Sequence, residues 1–342
     1  AHKGSANNAN YKYVYIPPSM LANQELANLA RVGLFKALNH TAINAPAIHV
    51  GEDVSDGHCA VYAIDVSKLW GNNGVRKWGV IASAQGRRPF SPAPRIAAKA
   101  FDANAPAPAD QVAYNAVYGN VYNELINAPR NESGLRQRLR MPRQVTAFGA
   151  KKEAIVFGPR IFWLRENAQG VKYWASGDNF FGQRGAEIPY NSSQTPRFKG
   201  NGSQVTVWNT HASEAWHDMP NGFLAYYIWG NGTQERSKAE KSFVIDPNNK
   251  RTRDLINGRS CISCHISGPQ AVPSDLQGGS WTDNTVLAQK YAESRTKFQA
   301  AMRQIVEKVS TGPKEFNEQV ITGAFPKEPV DVLIRRVEGT TF

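Results

Sequence analysis

The sequence is poor in cysteine and has no long apolar run. Only three of its 342 residues are cysteine, so a network of disulfides cannot hold this chain together and a hydrophobic core must do so. No stretch approaches the roughly 18 consecutive apolar residues of a membrane-spanning helix, which predicts no transmembrane anchor in this chain. Hydrophobic residues make up 41% of the sequence, enough for a folded core.

Acidic residues are also few compared with basic ones. There are 28 Asp and Glu against 40 Lys and Arg, a formal net charge of +12. No Lys/Arg run of five or more and no nucleic-acid-binding motif accompanies this excess, so we expect no nucleic-acid partner. A dispersed positive surface favours docking of an acidic partner, unless it serves only solubility. The chain also lacks the glycine-rich phosphate loops and the G-x-S-x-G motif.

The chain divides by pattern into three sections, which together predict an α+β fold. Residues 1–143 have mixed α/β character, and 144–247 form a β-rich section that is either separate or shares a domain with the first. Residues 248–342 form a mainly helical segment. Apolar positions at helical spacing predict helices over 21–38, 110–127, 133–140, about 281–309, 313–322 and 328–337. Period-two patterns between turn residues predict strands at 11–16, 60–66, 154–157, 161–164, 171–174, 205–208, 223–229 and 242–245.

Two of the three cysteines lie in the stretch R-S-C-I-S-C-H-I at 259–266. C-x-x-C-H is the attachment signature of c-type haem. Its spacing suits that chemistry, because two thioethers must reach neighbouring vinyl groups and the next residue must reach the iron. The motif therefore predicts one covalent haem c, with Cys261 and Cys264 as the attachment residues and His265 as the proximal iron ligand.

Two other interpretations of the cysteine pair stay open. A structural zinc site needs a second pair of Cys or His ligands at similar spacing, and none follows or precedes the motif. A redox dithiol normally lies at a strand-to-helix junction, whereas an irregular polar stretch precedes this pair. The third cysteine, Cys59, borders an apolar run and is expected to be a buried, inert thiol.

Other segments extend the similarity beyond the motif. M-P-N-G-F-L-A-Y-Y (219–227) and V-I-D-P-N-N-K-R-T-R-D-L-I-N-G-R-S-C-I-S-C-H (244–265) resemble a group of bacterial monohaem c-type proteins. Segments 61–66, 173–180 and 328–336 look similar as well. The resemblance implies a haem c protein exported to the periplasm or outside the cell, but no particular reaction. The first residue, Ala1, fits the expected removal of a signal peptide.

The sixth iron position decides between electron transfer and catalysis. His211 is the first candidate for this axial ligand, followed by His217 and Met219. The related group often carries His-Asp-Gly-Gly-Glu where this chain has Thr210–Glu214, so the role of that histidine does not transfer directly. Met302 is expected to be a core residue. The other histidines, less favoured as ligands, are His40, His49 and His58.

Charged residues near the motif suggest further roles. Arg259 is a candidate partner for a haem propionate, because guanidinium groups bind carboxylates in a bidentate way. Glu214, His211 and His217 are candidates for distal acid/base chemistry. The sequence thus predicts an exported monohaem cytochrome c that carries single electrons to an acidic redox partner. The alternatives are a haem c enzyme of peroxidase-like or other small-molecule redox chemistry, or a haem-based sensor.

Overall fold

The computed structural model describes residues 9–55, 59–84, 106–142, 146–151, 160–178, 212–230, 234–239, 246, 249, 252–269 and 284–339. These residues form an α+β fold, as predicted. The helices are α1 (Pro18–Leu21), α2 (Gln24–Asn39), α3 (Val66–Trp70), α4 (Gly74–Ser83), α5 (Ala109–Val117), α6 (Gly119–Leu125), α7 (Glu132–Arg138), α8 (Arg259–Cys264), α9 (Asn284–Val309), α10 (Lys314–Thr322) and α11 (Pro329–Glu338). The strands are β1 (Tyr11–Tyr15), β2 (Glu52–Asp53), β3 (Val61–Asp65), β4 (Ala107–Pro108), β5 (Ala147–Lys151), β6 (Arg160–Glu166), β7 (Lys172–Asp178), β8 (Ala212–Asp218), β9 (Leu224–Gly230) and β10 (Gln234–Arg236).

A small mixed sheet belongs to the first section of the chain. Its strand order is β2-β3-β1-β4, with β1 antiparallel to β3 and parallel to β4. Helix α2 packs on this sheet, and the ring of Phe35 meets the ring of Tyr62 edge-on at 5.1 Å between centroids. Twelve of the sixteen residues of α2 are buried, all of them from Ala27 onward, so this helix lies in the interior.

A larger antiparallel sheet has the order β10-β9-β8-β7-β6-β5 within the described residues. Each of the described strands of this sheet pairs with its neighbour in sequence, so their order is that of a meander. Side chains alternate between the two faces of a strand. We call the face toward α9 the front face, since Asp218 accepts from Ser294 there. We call the face toward α7 the back face, since Tyr173 donates to Glu132 there.

The last helix returns to the first section. Helix α11 packs against α2 and α5, and α2 passes so close that a Cβ on Gly33 would lie 2.2 Å from the carbonyl oxygen of Pro329. The buried ammonium of Lys36 pairs with Glu328 at 2.8 Å. One cluster of buried apolar side chains includes Leu34, Trp216 and Leu333. The three sections distinguished in the sequence therefore share one core.

Several elements differ from the sequence-based expectation. The helix predicted over 110–127 is split at Tyr118, which forms a β-bridge with Gly258. Helix α4, over 74–83, had no helix prediction. Segment 212–218, which had no strand prediction, is the strand β8. The strands predicted at 154–157, 205–208 and 242–245 lie outside the described residues.

The structure also bears on the predictions for Cys59 and for membrane-spanning helices. Cys59 was expected to be buried, and this prediction is wrong, because the structure places it in an exposed position. It lies just before β3 rather than within the apolar part of that strand. In the described part of the chain, no helix has the length and apolar character needed to cross a membrane.

Candidate functional site

The C-x-x-C-H motif lies on the short helix α8 and at its end. Cys261 and Cys264 are three positions apart in the sequence, which places them on the same side of the helix. Neither forms a disulfide, and both are partly exposed. The backbone N–H of His265 donates to the carbonyl of Cys261 at 2.8 Å. The two thiols and the imidazole are therefore presented together within one helical turn.

A glycine immediately before α8 allows this helix to start where it does. Gly258 has φ +78°, and a Cβ there would lie 2.5 Å from the ring of Tyr122 and 2.6 Å from the carbonyl oxygen of Val117. Only glycine satisfies both the positive φ and this close approach. The next anchor is Asn257, whose Oδ1 accepts from the Cys261 thiol at 3.6 Å. The start of α8 is thus fixed against α5 and α6.

Buried polar contacts hold the opposite side of α8. Ser260 donates to Asp246 at 2.6 Å, and Ser263 donates to Asp331 of α11 at 2.5 Å. The Arg259 guanidinium, 2% exposed, pairs with Asp246 at 3.4 Å and with Glu338 at 3.0 Å. The sequence suggested Arg259 as a propionate partner, but the structure commits its Nη1 and Nη2 to protein carboxylates. In this structure Arg259 anchors the motif helix.

The His265 ring is oriented by its surroundings. Its Nδ1 lies 3.3 Å from the carbonyl oxygen of Gly268. When Nδ1 carries the proton and donates to that carbonyl, Nε2 is the ring atom with the lone pair, as in metal-ligating histidines. The ring also lies against two aromatic side chains of the front face, with centroid distances of 5.2 Å to Trp216 and 5.5 Å to Tyr226.

The thiols lie in an environment that disfavours the thiolate. Burial is the main cause that raises the pKa of Cys261 well above its usual value, and the charge of Glu214 adds to it. Burial, followed by Asp246 and Glu214, raises the pKa of Cys264 to about 12. A redox dithiol needs a lowered thiol pKa, since the thiolate is the nucleophile. This electrostatic environment does not fit that interpretation.

Strand β8 carries two of the candidates for distal chemistry, Glu214 and His217, on opposite faces. Glu214 shares the front face of β8 with Trp216, and its charge acts on both motif thiols. His217 points to the back face, where its Nδ1 lies 3.3 Å from the Tyr227 hydroxyl. His217 therefore lies on the face of the sheet opposite to the one that contacts His265, and this placement does not support it as an axial ligand or distal base. Its burial, with the charge of Arg138, lowers its pKa to about 3.

The remaining ligand candidates have different outcomes. His211 lies outside the described residues, as does His58, so the prediction for His211 stays a prediction. Met302 is fully buried in α9 and belongs to the core, as expected for it. Met219 is also buried, and its backbone closes the turn between β8 and β9 through bonds with Gly222 and Phe223.

Sequence reasoning gave little weight to His40, which lies close to the motif. This histidine is fully buried, and its ring is 5.6 Å from the ring of Tyr226. Its Nδ1 lies 3.0 Å from the carbonyl of Leu224, while its Nε2 has no hydrogen-bond partner among the described residues. Burial lowers the pKa of His40 well below its usual value. The sequence does indicate the burial of His40, since position 40 continues the apolar spacing of residues 26, 29, 33 and 37.

The donor chemistry of the motif fits a covalently attached haem. Two thiols and one imidazole are what such a group requires, and all three are partly exposed in the described structure. Beside them, the Trp216 indole N–H and the Tyr226 hydroxyl are buried without a hydrogen-bond partner in the described part of the chain. Among all the residues that the structure describes, no group of three or more His, Cys, Asp or Glu could hold a metal ion by itself.

Comparisons with known proteins add no assignment to this geometry. No family model matches the chain, and neither a curated protein nor a solved structure shows significant similarity to it. The α+β fold with a helix-borne Cys-Cys-His site is therefore the class of structure on which a functional proposal must rest.

Proposed function

We propose that this protein is a monohaem c-type cytochrome that transfers single electrons. The haem would be attached through Cys261 and Cys264, and His265 would be the axial ligand. The observation that carries this proposal is the placement of two cysteines outside any disulfide and one histidine at the C-terminal end of α8, with His265 directly after the last helical residue. Haem, when bound, supplies a one-electron iron couple.

The surroundings of His265 support its role as ligand. The Gly268 carbonyl, 3.3 Å from Nδ1, favours the tautomer that leaves Nε2 for the iron. Such carbonyl partners orient ligating histidines and raise their basicity. The buried rings of Trp216 and Tyr226 exclude water from the protein side of this imidazole. A low-polarity wall of this kind is one of the means by which proteins set a haem potential.

The charge of the chain suggests the kind of partner. An excess of +12 favours encounter with an acidic redox protein, in a complex that weakens as salt screens the surface charges. Location in the periplasm or outside the cell belongs to the same proposal, because haem c proteins of the group that this sequence resembles are exported. We expect the rate of electron exchange with an acidic partner to fall as ionic strength rises.

One observation favours a second candidate, a haem c enzyme. Glu214 is half-buried on the front face of the sheet, and its charge raises the pKa of both motif thiols. A carboxylate this close to the attachment site is placed to hold or transfer a proton during small-molecule redox chemistry. In that case the oxidised protein should bind exogenous ligands, and its reaction with peroxide should depend on Glu214.

Cysteine substitutions test the haem assignment. The protein, produced with a haem c maturation system, is run on a denaturing gel and stained for haem. Wild type and Cys59→Ser, which alters the cysteine outside the motif, should both retain covalent haem. The double variant Cys261→Ser/Cys264→Ser should lose it. Equal staining of that double variant, or no staining of wild type, would contradict the proposal.

Ligand binding separates the two candidates. Cyanide is added to the oxidised holoprotein while its absorption spectrum is recorded. An electron carrier with both axial positions filled should show an unchanged spectrum. A haem enzyme should show the spectral shift of cyanide binding, and Glu214→Gln should then slow its reaction with peroxide, whereas Glu235→Gln, on the edge strand β10, should not.

A further inference from the structure

His265 lies in the middle of a continuous row of ring contacts. On one side the row runs from Trp216 to Trp174, at 6.1 Å between centroids, and from Trp174 to Tyr291 of α9, at 4.1 Å. On the other side it runs from Tyr226 to His40, at 5.6 Å. The partly exposed His265 imidazole therefore lies against aromatic side chains that are themselves packed on further rings.

The two rings that touch His265 belong to a rigid part of the sheet. Trp216 and Tyr226 are directly opposite each other in the pairing of β8 with β9. Their exposed fractions are 5% and 2%. The Tyr226 backbone N–H also donates to the Tyr122 hydroxyl at 3.0 Å. Because buried side chains in a close-packed sheet have few alternative rotamers, these rings form a fixed surface for the imidazole.

The His265 imidazole also forms a hydrogen bond, which is long. The Nδ1 to Gly268 oxygen distance of 3.3 Å exceeds the usual ~2.9–3.0 Å of an N–H···O bond. Gly268 itself is well fixed, because it has φ +89° and a Cβ there would lie 2.7 Å from the Phe298 ring. A long hydrogen bond to a fixed carbonyl selects the tautomer but tolerates rotation of the ring, which the contacts with Trp216 and Tyr226 oppose.

We propose that Trp216 and Tyr226 are positioning residues that fix the rotation of the His265 imidazole about its Nε2 bond axis. They meet the imidazole at interplanar angles of 50° and 30°, so a substantial rotation brings its edge into one ring or the other. This inference rests on the proposed haem function. It goes beyond that function by assigning the orientation of the axial ligand to two residues outside the motif.

The orientation of an axial imidazole has a specific electronic consequence. The ring plane selects which iron d orbital overlaps its π system, and the resulting splitting appears as the spread of g-values in electron paramagnetic resonance. A residue with a merely structural role changes stability without changing this spread. The ring surface, rather than a polar group, does the positioning, since the Tyr226 hydroxyl has no hydrogen-bond partner among the described residues.

The test compares the electron paramagnetic resonance spectra of front-face and back-face variants of the oxidised holoprotein. Trp216→Phe and Tyr226→Leu should shift or broaden the g-values, while Tyr226→Phe, which keeps the ring, should match wild type. The control Tyr227→Leu alters a neighbouring buried ring that contacts His217 on the back face, and it should lower stability with unchanged g-values.

The outcomes separate the two proposals. Haem staining of each denatured variant shows whether the haem is attached, and loss of haem from wild type would overturn both proposals. Attached haem with wild-type g-values in both Trp216→Phe and Tyr226→Leu would overturn the positioning role alone. An equal shift in Tyr227→Leu would also overturn it. If Tyr226→Leu does not fold, Trp216→Phe, in which a smaller phenyl ring replaces the indole, still decides the question.

Discussion

The imidazole ring of His265 lies 5.2 Å from the indole ring of Trp216, measured between centroids. This contact joins the C-x-x-C-H motif to the segment W-N-T-H-A-S-E-A-W-H at 208–217, which the sequence singled out for its histidines. The alternation of β8 sends Trp216 to the front face and His217 to the back face. The segment therefore meets the motif through a tryptophan and a glutamate rather than through His217.

A substitution at Gly258 tests whether helix α8 must start in contact with Tyr122. Gly258→Ala adds a Cβ 2.5 Å from the Tyr122 ring at φ +78°. We expect a loss of about 2–4 kcal/mol in the free energy of unfolding, from backbone strain and overpacking together. Urea unfolding measures this loss. Haem attachment should fall with it, because α8 would be displaced.

Gly71 is the matched control for that substitution. It has φ +60° but no atom within 4 Å of an added Cβ. Gly71→Ala should therefore cost only the strain of its own backbone conformation, φ +60° and ψ −143°, about 1–3 kcal/mol, with normal haem attachment. Equal losses for the two variants would show that crowding against Tyr122 is unimportant.

The buried pair Lys36–Glu328 should be strongly coupled. Its side chains are 0% and 2% exposed, and Lys36 also donates to the carbonyl of Ile266, next to the motif, at 2.9 Å. Lys36→Met or Glu328→Gln leaves a buried polar partner unpaired, and each should cost about 3–5 kcal/mol. The double variant should cost at least ~2 kcal/mol less than the sum of the two.

The neighbouring pair Lys327–Glu25 provides the comparison. It is at 2.6 Å, but its side chains are 35% and 41% exposed. A surface ion pair of this kind contributes about 0–1 kcal/mol. A double-mutant cycle in urea should give a coupling below ~1 kcal/mol here. A coupling as large as that of the buried pair would contradict the assignment.

The buried His217 should make the fold acid-sensitive. Its pKa is lowered from 6.5 to about 3 in the folded state, so between these values the unfolded chain binds more protons. The free energy of unfolding that the neutral His217 contributes is fully present above the unfolded pKa of about 6.5 and is lost as pH falls toward about 3. Between about pH 7.5 and pH 5 the loss from this residue is about 2 kcal/mol.

A substitution isolates that share of the acid effect. His217→Gln should be less stable than wild type at neutral pH but should lose less stability on acidification, as urea unfolding at the two pH values will show. Tyr227→Phe removes the hydroxyl 3.3 Å from Nδ1 and keeps the imidazole. It should therefore keep the acid loss of wild type. An unchanged acid loss in His217→Gln would rule out His217 as a source.

Local pattern was sufficient for much of the helical structure. Apolar spacing predicted helices over 21–38, 313–322 and 328–337, close to the observed α2, α10 and α11. Helices α10 and α11 end at the left-handed glycines Gly323 and Gly339. Local residues decide such features, so a sequence reveals them. The α+β class followed from them together with the β-rich middle section.

The site depended on contacts that no local pattern encodes. The segment containing Glu214, Trp216 and His217 read as a polar cluster, but it is a central strand with both faces covered, and its strand period decides which residues reach the motif. Arg259 was predicted to pair with a haem propionate, whereas Asp246 and Glu338, from other parts of the chain, lie beside its guanidinium. Pairing between remote segments set these roles.

The pyridine haemochrome spectrum of the purified, denatured holoprotein tests the central claim most directly. The protein is made in cells with a haem c maturation system, extracted with acidified acetone to remove free haem, and then measured. We expect the spectrum of a haem whose two vinyl groups are both converted to thioethers, with one haem per chain. Protein that is folded and soluble but free of haem after extraction would contradict the account.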